Sequence, residues 1–198
     1  LTNGEGYLKR NATQMILGTQ TGTRVAADLA YDTDSLYFFT RVSDRTQVPN
    51  GADCDAITLY FDMQDTCDEL PQQGCYKFGI RRNGTLMRPY YGADGRWSYG
   101  SPSDLKMRTA TSSSSGYYII ETAIPWSDFG LQEPPVGQRL AFAIECVDNR
   151  SGTPYTESIP DAHPDKPWTW MELRLGEKPE DLTVFDPDSF IDGILRAD

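Results

Sequence analysis

Residues 25–42, VAADLAYDTDSLYFFTRV, carry the pattern that decides the fold. Apolar residues recur at every second position of the first half, at Val25, Ala27 and Leu29. The second half, SLYFFTRV, alternates in the same way, and the turn-forming triplet 32–34 (DTD) separates the two halves. Because the side chains of an extended chain point alternately to opposite faces of a sheet, each half is predicted to form a strand with one apolar face.

The same alternation continues to residue 175 and predicts about nine strands. The further runs are DAITLYFD, CYKFGIRR, TLMRPYY, KMRTAT, YYIIETAIP, RLAFAIECVD and WMELRL. Asn83-Gly84 is the sharpest hairpin signal between them, because both residues accept the positive φ of a type I′ turn. IPWSDFGL can form only a short helical turn, so strands follow one another without helices. The sequence therefore predicts an all-β, antiparallel two-sheet β-sandwich of jelly-roll type, with about nine or more strands.

Size and charge limit the classes of partner. The chain has 198 residues, of which 38% are hydrophobic and 12% aromatic, which is enough for the packed core of one domain. Its net charge of -11 would repel nucleic acid and anionic membrane surfaces. No apolar run reaches the length of about 18 residues that a membrane-spanning helix needs. We therefore expect a neutral or cationic partner, no nucleic acid and no membrane span.

The alternation also predicts the domain organisation. Residues 1–176 are expected to form the sandwich, whereas residues 177–198 lose the alternation and gain acids and prolines. This acidic C-terminal tail is predicted either to dock on the sandwich or to lead to another module.

The four cysteines lack the paired C-x-x-C spacing of zinc sites. Cys67 and Cys75 bracket the polar turn DELPQQG between two strand-like runs, where a disulfide would stabilise the loop. A Cys67–Cys75 disulfide is therefore expected, with Cys54 and Cys146 as the remaining pair. The alternative is two buried thiols, which a cytosolic protein would favour.

Five segments, taken in order, resemble the family 9 carbohydrate-binding modules and their DOMON-like relatives. They are VAADLAYDTDSLYFFTRVSD, DAITLYFD, GYYIIETAIPWSDFG, RLAFAIECVDNRSG and WTWMELRL, and they cover most of residues 23–175. The resemblance implies a non-catalytic sandwich that binds an oligo- or polysaccharide, often with structural calcium and without an organic cofactor. It also implies a secreted or cell-surface location, with a neighbouring catalytic domain in a glycan-degrading system.

The sugar clamp of this family is altered in the sequence. Known members hold a terminal sugar between two tryptophans and bond its hydroxyls with a carboxylate, an arginine and an amide. Here residues 50–53 (NGAD) replace the first tryptophan, Thr58 stands at the carboxylate position and Gly79 lies near the arginine position. Trp168 is the nearest candidate for the second tryptophan, without the same spacing. The resemblance therefore predicts a glycan site that is built differently.

Aromatic and arginine residues near the predicted turns are the candidates for that site, because sugars present apolar C–H faces edged by hydroxyls. Trp97 is predicted either to be a ligand platform or to anchor its loop. Trp168 is expected to be partly exposed at a loop edge, whereas Trp170 and Trp126 are assigned to the core or to sheet cover. The predicted carbohydrate-binding residues are Trp97, Trp168, Tyr91, Tyr99, Arg81 and Arg82.

Hard oxygen ligands in turns support the calcium hypothesis, which otherwise rests on the family resemblance. The spacing of an EF-hand is absent from the sequence. His163, the single histidine, stands between prolines and acids and is interpreted as a loop residue rather than a catalyst. The candidate calcium ligands are Asp32, Asp34, Asp44, Asp148 and Asn149.

Two other functions are compatible with the sequence. A DOMON-like haem or redox module would need methionine ligands, although methionine more often fills a core. A ligand-free accessory domain would instead pack against a neighbouring enzyme through a large apolar patch. The methionines available as haem ligands are Met63, Met87, Met107 and Met171.

Overall fold

The structure is a computed structural model that describes residues 15–18, 23–48, 54–150, 153–158 and 162–176. Side chains are described over residues 23–48, 54–149 and 162–176. The predicted C-terminal tail, residues 177–198, lies outside the described residues.

Twelve strands form two antiparallel sheets within these residues. They are β1 (Met15–Gly18), β2 (Arg24–Tyr31), β3 (Ser35–Ser43), β4 (Ala56–Asp62), β5 (Cys75–Arg81), β6 (Tyr90–Ala93), β7 (Arg96–Tyr99), β8 (Arg108–Ser114), β9 (Tyr117–Pro125), β10 (Arg139–Arg150), β11 (Thr153–Ser158) and β12 (Met171–Arg174). The first sheet has the order β1-β2-β3-β9-β8, and the second has the order β11-β10-β4-β5-β6-β7, with β12 also paired to β10. The predicted antiparallel two-sheet sandwich is confirmed.

Helical structure is confined to three short 3-10 turns in the described part of the chain. They span Pro102–Asp104, Trp126–Phe129 and Pro167–Thr169. None of the described helical segments has the length and apolar character needed to cross a membrane.

The core lies between the two sheets and takes alternate residues of each strand. Along β4, Ile57, Leu59 and Phe61 are fully buried in it, and Met63 and Met107 fill space beside them. These two methionines therefore act as apolar filling. The largest buried side chains are Trp126, Tyr60, Tyr118, Phe38, Phe61, Phe78 and Phe142.

Asp32 fixes the predicted turn between β2 and β3. Its carboxylate accepts hydrogen bonds from the backbone N–H groups of Asp34 and Ser35 at 2.8 and 2.9 Å. The Tyr37 hydroxyl also donates to this carboxylate, at 2.7 Å. The Asp32 carbonyl oxygen accepts a hydrogen bond from the Trp126 indole N–H at 3.0 Å. One residue therefore holds the turn and joins it to the corner that follows β9.

The predicted hairpin at Asn83-Gly84 is present, but its turn type differs. The Gly84 N–H donates to the Arg81 carbonyl oxygen at 2.8 Å, and Gly84 alone of the two predicted turn residues has positive φ, +84°. This arrangement is a type I turn followed by a left-handed glycine, not a type I′ turn. The predicted strand TLMRPYY is also broken, because Leu86 forms one bridge to β5 and Pro89, which has no N–H, precedes β6.

The structure corrects the disulfide prediction. Cys75 is 1% exposed under side chains that cover the second sheet, whereas Cys67 is exposed in the preceding loop. Cys146 faces the core opposite Ile57, whereas Cys54 lies ahead of β4. The spacing of cysteines along the chain does not reveal these surroundings. No disulfide joins Cys54, Cys67, Cys75 or Cys146.

Asp28 is a buried carboxylate on the side of the first sheet that points away from the core. It is 2% exposed, and burial raises its pKa to about 6, although the Leu29 N–H donates to it at 2.8 Å. The folded-state pKa is therefore above the ordinary value of 3.8. The stability that this group contributes is present in full below the ordinary pKa and is lost as the pH rises through the folded-state pKa.

We expect Asp28→Asn to stabilise the protein at neutral pH, because the amide keeps an oxygen for the Leu29 N–H and carries no charge. Urea unfolding at two pH values measures the free energy of unfolding of the variant and of the parent. The difference between them should be about 2 kcal/mol larger, in favour of the variant, at about pH 8 than at about pH 4. Glu133→Gln, at an exposed carboxylate, is the control and should show no such pH dependence. An equal effect of Asp28→Asn at both pH values would contradict this assignment.

Candidate functional site

The outward side of the second sheet carries a row of aromatic and polar side chains. Ala143, Tyr60, Lys77, Tyr90 and Tyr99 are successive cross-strand partners on five neighbouring strands. Neighbouring strands lie about 4.8 Å apart, so three strand spacings make the row from Tyr60 to Tyr99 about 14 Å long. We call this surface the aromatic face and define it by Tyr60, Lys77, Tyr90, Trp97, Tyr99 and Glu145.

Tyr60 is the centre of the aromatic face. It is 1% exposed, and its hydroxyl donates to Glu145 Oε2 at 2.5 Å. Burial, followed by the charge of Glu145, raises the pKa of Tyr60 well above its ordinary value, so the phenol remains a hydrogen-bond donor. The Lys77 ammonium nitrogen lies 5.1 Å from the Tyr60 ring centroid and 5.4 Å from that of Tyr90. A half-buried carboxylate and a half-buried ammonium group therefore both contact one buried ring.

The two strand positions at which the family resemblance places charged groups lie in one cross-strand row with Glu145. Thr58 pairs with Gly79 on one side and with Glu145 on the other. A Cβ atom at Gly79 would lie 2.8 Å from Met87 Sδ, so Met87 fills the space that a side chain at position 79 would need. The sheet therefore supplies a carboxylate one strand away from Thr58 and has no room for an arginine at position 79.

The segment 162–170 covers part of the aromatic face. The Trp170 ring centroid lies 5.6 Å from that of Tyr60, and its indole N–H donates to the His163 carbonyl oxygen at 2.9 Å. The His163 N–H in turn donates to Thr169 Oγ1 at 2.8 Å. Trp170 is 7% exposed and covers the sheet, as the sequence predicted. His163 is a loop residue whose backbone groups hold this cover in place.

Trp97 lies where the segment 162–170 meets the β6–β7 hairpin. Its indole N–H donates to Asp165 Oδ1 at 2.9 Å, and its ring centroid is 6.4 Å from that of Tyr60. The residue is half-buried and borders an open depression along the hairpin. Trp97 therefore anchors its loop, which is one of the two predicted alternatives, and its side chain remains accessible from the depression. The depression is lined by Ala93, Asp94, Arg96, Trp97, Ser98 and Tyr99.

Two other predicted aromatic residues are exposed. Tyr99 is 64% exposed, and the Arg88 guanidinium lies 4.4 Å from its ring centroid. Trp168 is 55% exposed, and its backbone N–H donates to the Asp68 carbonyl oxygen at 3.2 Å. Tyr99 belongs to the aromatic face, whereas Trp168 lies at a loop edge, as predicted.

The three remaining predicted residues differ in orientation. Arg82 is 6% exposed, and its guanidinium donates to Gln47 Oε1 in the interior. Tyr91 packs against the core and meets Tyr76 edge-on, with 6.0 Å between the ring centroids. Arg81 is half-buried at the end of β5, in phase with Lys77 on the outward side of the second sheet. Arg82 and Tyr91 are not turned toward the aromatic face, so the structure does not bring these two predicted residues together with Trp97 and Tyr99.

The sequence prediction omits Tyr60, Lys77 and Glu145. A signal for two of them exists, since Glu145 is the single charged residue in LAFAIECV and Lys77 is the single charged residue in CYKFGI. Charged residues are seldom fully buried without a partner. A single charged residue within an apolar strand therefore marks a place where the cover of that strand is incomplete.

Three buried carboxylates form a second candidate site. Asp44 follows β3, Asp55 precedes β4 and Asp148 lies on β10, and each is at most 3% exposed. One carboxylate oxygen from each residue lies within 4.8 Å of the other two. The sequence predicted Asp44 and Asp148 as calcium ligands and omitted Asp55, whereas Asp32 and Asp34 lie in the β2–β3 turn.

The hydrogen bonds of this acidic cluster are compatible with a hard cation. The Asp55 carboxylate accepts from the backbone N–H groups of Val48 and Asn149, at 2.8 and 3.0 Å. Asp44 Oδ2 is buried and accepts no hydrogen bond within the described part of the chain. Burial, together with the charges of Asp44 and Asp148, raises the pKa of Asp55 to about 6. Oxygens this close can share one calcium ion at about 2.4 Å, so the residues present fit that ion.

Comparisons with known proteins place the chain among carbohydrate-binding folds. The family model described as "Carbohydrate family 9 binding domain-like" matches residues 7–170. A family 9 carbohydrate-binding module from Caldicellulosiruptor kristjanssonii in complex with cellotriose has a TM-score of 0.68 and 17% sequence identity, covering 89% of each chain. A family 9 module from the same organism in complex with glucose has a TM-score of 0.68 and 16% identity, covering 89% of this chain and 91% of the other. No curated protein sequence matches significantly.

Trp168 and Trp170 should differ sharply in their effect on stability, although they are two residues apart. Trp170→Ala should lower the free energy of unfolding by about 3 kcal/mol, because it removes a buried ring from the cover of Tyr60. Trp168→Ala is the matched control and should change it by less than about 0.5 kcal/mol, since its ring is largely exposed. Urea unfolding followed by fluorescence measures both values. Equal destabilisation by the two variants would contradict the assigned roles.

Proposed function

Because the chain belongs to the carbohydrate family 9 binding-domain-like family, we propose that it binds glycans on the aromatic face of its second sheet. The observation that carries this proposal is the group formed by Trp97, Lys77 and Glu145 around Tyr60. A sugar has an apolar C–H face and a rim of hydroxyls. The Trp97 ring contacts the C–H face. Glu145 accepts hydrogen bonds from the hydroxyls, and Lys77 donates hydrogen bonds to them.

Preorganisation supports this assignment. Asp165 holds the Trp97 indole, and Tyr60 holds Glu145 through a hydrogen bond of 2.5 Å. The Lys77 ammonium group lies 5.1 Å from the Tyr60 ring centroid and 5.4 Å from that of Tyr90. Side chains that are already ordered lose little conformational entropy when a ligand binds, so each contact contributes more to affinity.

The domain is, in this proposal, a non-catalytic module. It attaches a neighbouring catalytic domain to the substrate of a secreted or cell-surface glycan-degrading system. The description of the matched family as a binding domain supports the non-catalytic role. Glucose and cellotriose are the first ligands to test, because the two structural relatives were solved with them.

Calorimetric titration with glucose, cellotriose and the matching xylo- and manno-oligosaccharides tests the site. Trp97→Ala, Lys77→Met and Glu145→Gln should each weaken binding about tenfold, because each removes one contact to the sugar. Lys106→Met and Glu133→Gln, at exposed positions outside the aromatic face, are the controls and should bind like the parent.

Two results would contradict the site. One is parental affinity in both Trp97→Ala and Glu145→Gln, and the other is the failure of the folded parent protein to bind any of these sugars. Circular dichroism and thermal unfolding of each variant separate loss of binding from loss of the fold.

We also propose that Asp44, Asp55 and Asp148 hold one structural calcium ion. The residues come from both sheets, since β3 belongs to the first and β4 and β10 belong to the second. An ion there would compensate three buried carboxylates and join the sheets at one place. The buried Asp44 Oδ2, which accepts no hydrogen bond from a described residue, supports this proposal.

Calcium should raise the thermal unfolding temperature of chelator-treated protein by several degrees. Ligand carboxylates must be ionised, and the pKa of Asp55 is raised to about 6, so the increment should be full at about pH 8 and decline below about pH 6. Asp44→Asn should abolish it, whereas Asp34→Asn, in the exposed β2–β3 turn, should keep it. An unfolding temperature that does not respond to calcium in the parent at about pH 8 would contradict the proposal.

A further inference from the structure

The segment 162–170 closes the aromatic face at its inner end, so the accessible part of this face is at the outer end. Tyr60 is 1% exposed and lies against Trp170, with 5.6 Å between the ring centroids. Tyr99 is 64% exposed and lies on β7, the last strand of the sheet on that side. The groups at the outer end therefore determine which sugars can bind there.

Residues 75–100, which contain β5, β6 and β7, differ in charge from the rest of the chain. They hold five basic residues and one acidic residue, Asp94, whereas the whole chain has 18 basic and 29 acidic residues. Three of the five, Lys77, Arg88 and Arg96, lie at the aromatic face or border its depression. At physiological ionic strength, exposed charges more than about 8 Å apart are largely screened. A ligand at the outer end therefore responds to these cations more than to the net charge.

Two of the three cations contact a pair of neighbouring tyrosines. Tyr90 and Tyr99 are cross-strand partners on β6 and β7. The Lys77 ammonium nitrogen lies 5.4 Å from the Tyr90 ring centroid, and the Arg88 guanidinium carbon lies 4.4 Å from that of Tyr99. Positive charge and aromatic rings are thus combined at one surface.

None of these three cations forms an ion pair with a described residue. The ion pairs found in the described part of the chain belong to Arg139 and Arg174, and not to Lys77, Arg88 or Arg96. This is unexpected in a chain that has 29 acidic residues. The three cations are therefore available to an anionic group of a ligand.

The position of Arg88 suits an acidic sugar. A guanidinium that lies over a ring contacts it through its flat face, which leaves the N–H donors at its edge unused. Those donors match two oxygens of a carboxylate or of a sulfate group. The exposed Tyr99 ring beside them can contact the C–H face of the same sugar unit.

We infer that the outer end of the aromatic face binds an acidic sugar unit, a uronic acid or a sulfated sugar, whose anionic group is held by Arg88 and whose C–H face lies on Tyr99. This inference rests on the proposed glycan-binding function and names the class of glycan. Lys77 and Arg96 add positive charge on either side. The net charge of the chain predicts a neutral or cationic partner, whereas the local charge of this surface has the opposite sign.

Calorimetry with four forms of cellotetraose in about 0.15 M salt tests the inference. Their hydroxymethyl groups are native, oxidised to carboxylates, oxidised and then methyl-esterified, or sulfated. At least one anionic form should bind about tenfold more tightly than the native and esterified forms, because these two are neutral. Preference for the carboxylate or for the sulfate identifies which anion is bound. Tetragalacturonate and its methyl ester repeat the comparison on a second backbone.

Arg88→Met should reduce the preference for the anionic form from about tenfold to about twofold, since it removes the charge and keeps an apolar stem beside Tyr99. Arg41→Met is the matched control, because the Arg41 guanidinium carbon also lies 4.4 Å from a tyrosine ring centroid, that of Tyr117 on the first sheet. It should keep the parental preference. Circular dichroism of both variants checks that the fold is intact.

Two results would overturn the inference and leave the proposed function in place. One is equal or weaker binding of the anionic forms on both backbones, and the other is an unchanged preference in folded Arg88→Met. Failure of the folded parent to bind any of these sugars, or any of the neutral oligosaccharides above, would overturn both.

Discussion

Burial of β4 on both sides is the constraint on which the rest of the structure depends. All seven residues of this strand are buried, so one set of alternate side chains fills the core and the other set needs a separate cover. Trp170 and the segment around it supply that cover above Tyr60. A loop segment covers less area than a layer of secondary structure. Lys77 and Glu145 stay half-buried at its margin, where the aromatic face begins.

The carboxylates of the two candidate sites have different electrostatic surroundings. Glu145 accepts a hydrogen bond from the Tyr60 hydroxyl, and the Lys77 ammonium group lies against the same tyrosine ring. Asp44, Asp55 and Asp148 instead face one another in a buried cluster, and their mutual repulsion adds to the cost of burial. The first arrangement leaves a carboxylate acceptor at the margin of the cover, where hydroxyl groups can reach it. The second favours either protonation or a cation, because three buried charges of one sign are otherwise destabilising.

Local pattern explains which features the sequence predicts. Alternation gives the strands and their antiparallel pairing, because it depends on a few neighbouring residues. The assignment of Trp126 and Trp170 to the core or to sheet cover comes from the segments that resemble the family, and it agrees with their burial. Register between distant strands is a property of the whole sheet. Thr58 and Glu145 become neighbours only when β4 pairs with β10. Arg82 and Tyr91 are predicted as ligand contacts from residue type and nearness to turns, and neither of these defines the face to which a side chain points.

The β6–β7 hairpin is positioned by its backbone more than by its side chains. A Cβ atom at Gly92 would lie 2.1 Å from the Gln72 carbonyl oxygen, so the main chain of the preceding loop packs directly on the hairpin. Of the hairpin strands, Tyr91 packs against the core between the sheets, and Trp97 packs against the cluster around Tyr60. Tyr99 is 64% exposed and belongs to neither cluster, so the scaffold is largely independent of it. Over evolutionary time, the side chain at position 99 can change while the sandwich beneath it keeps its stability.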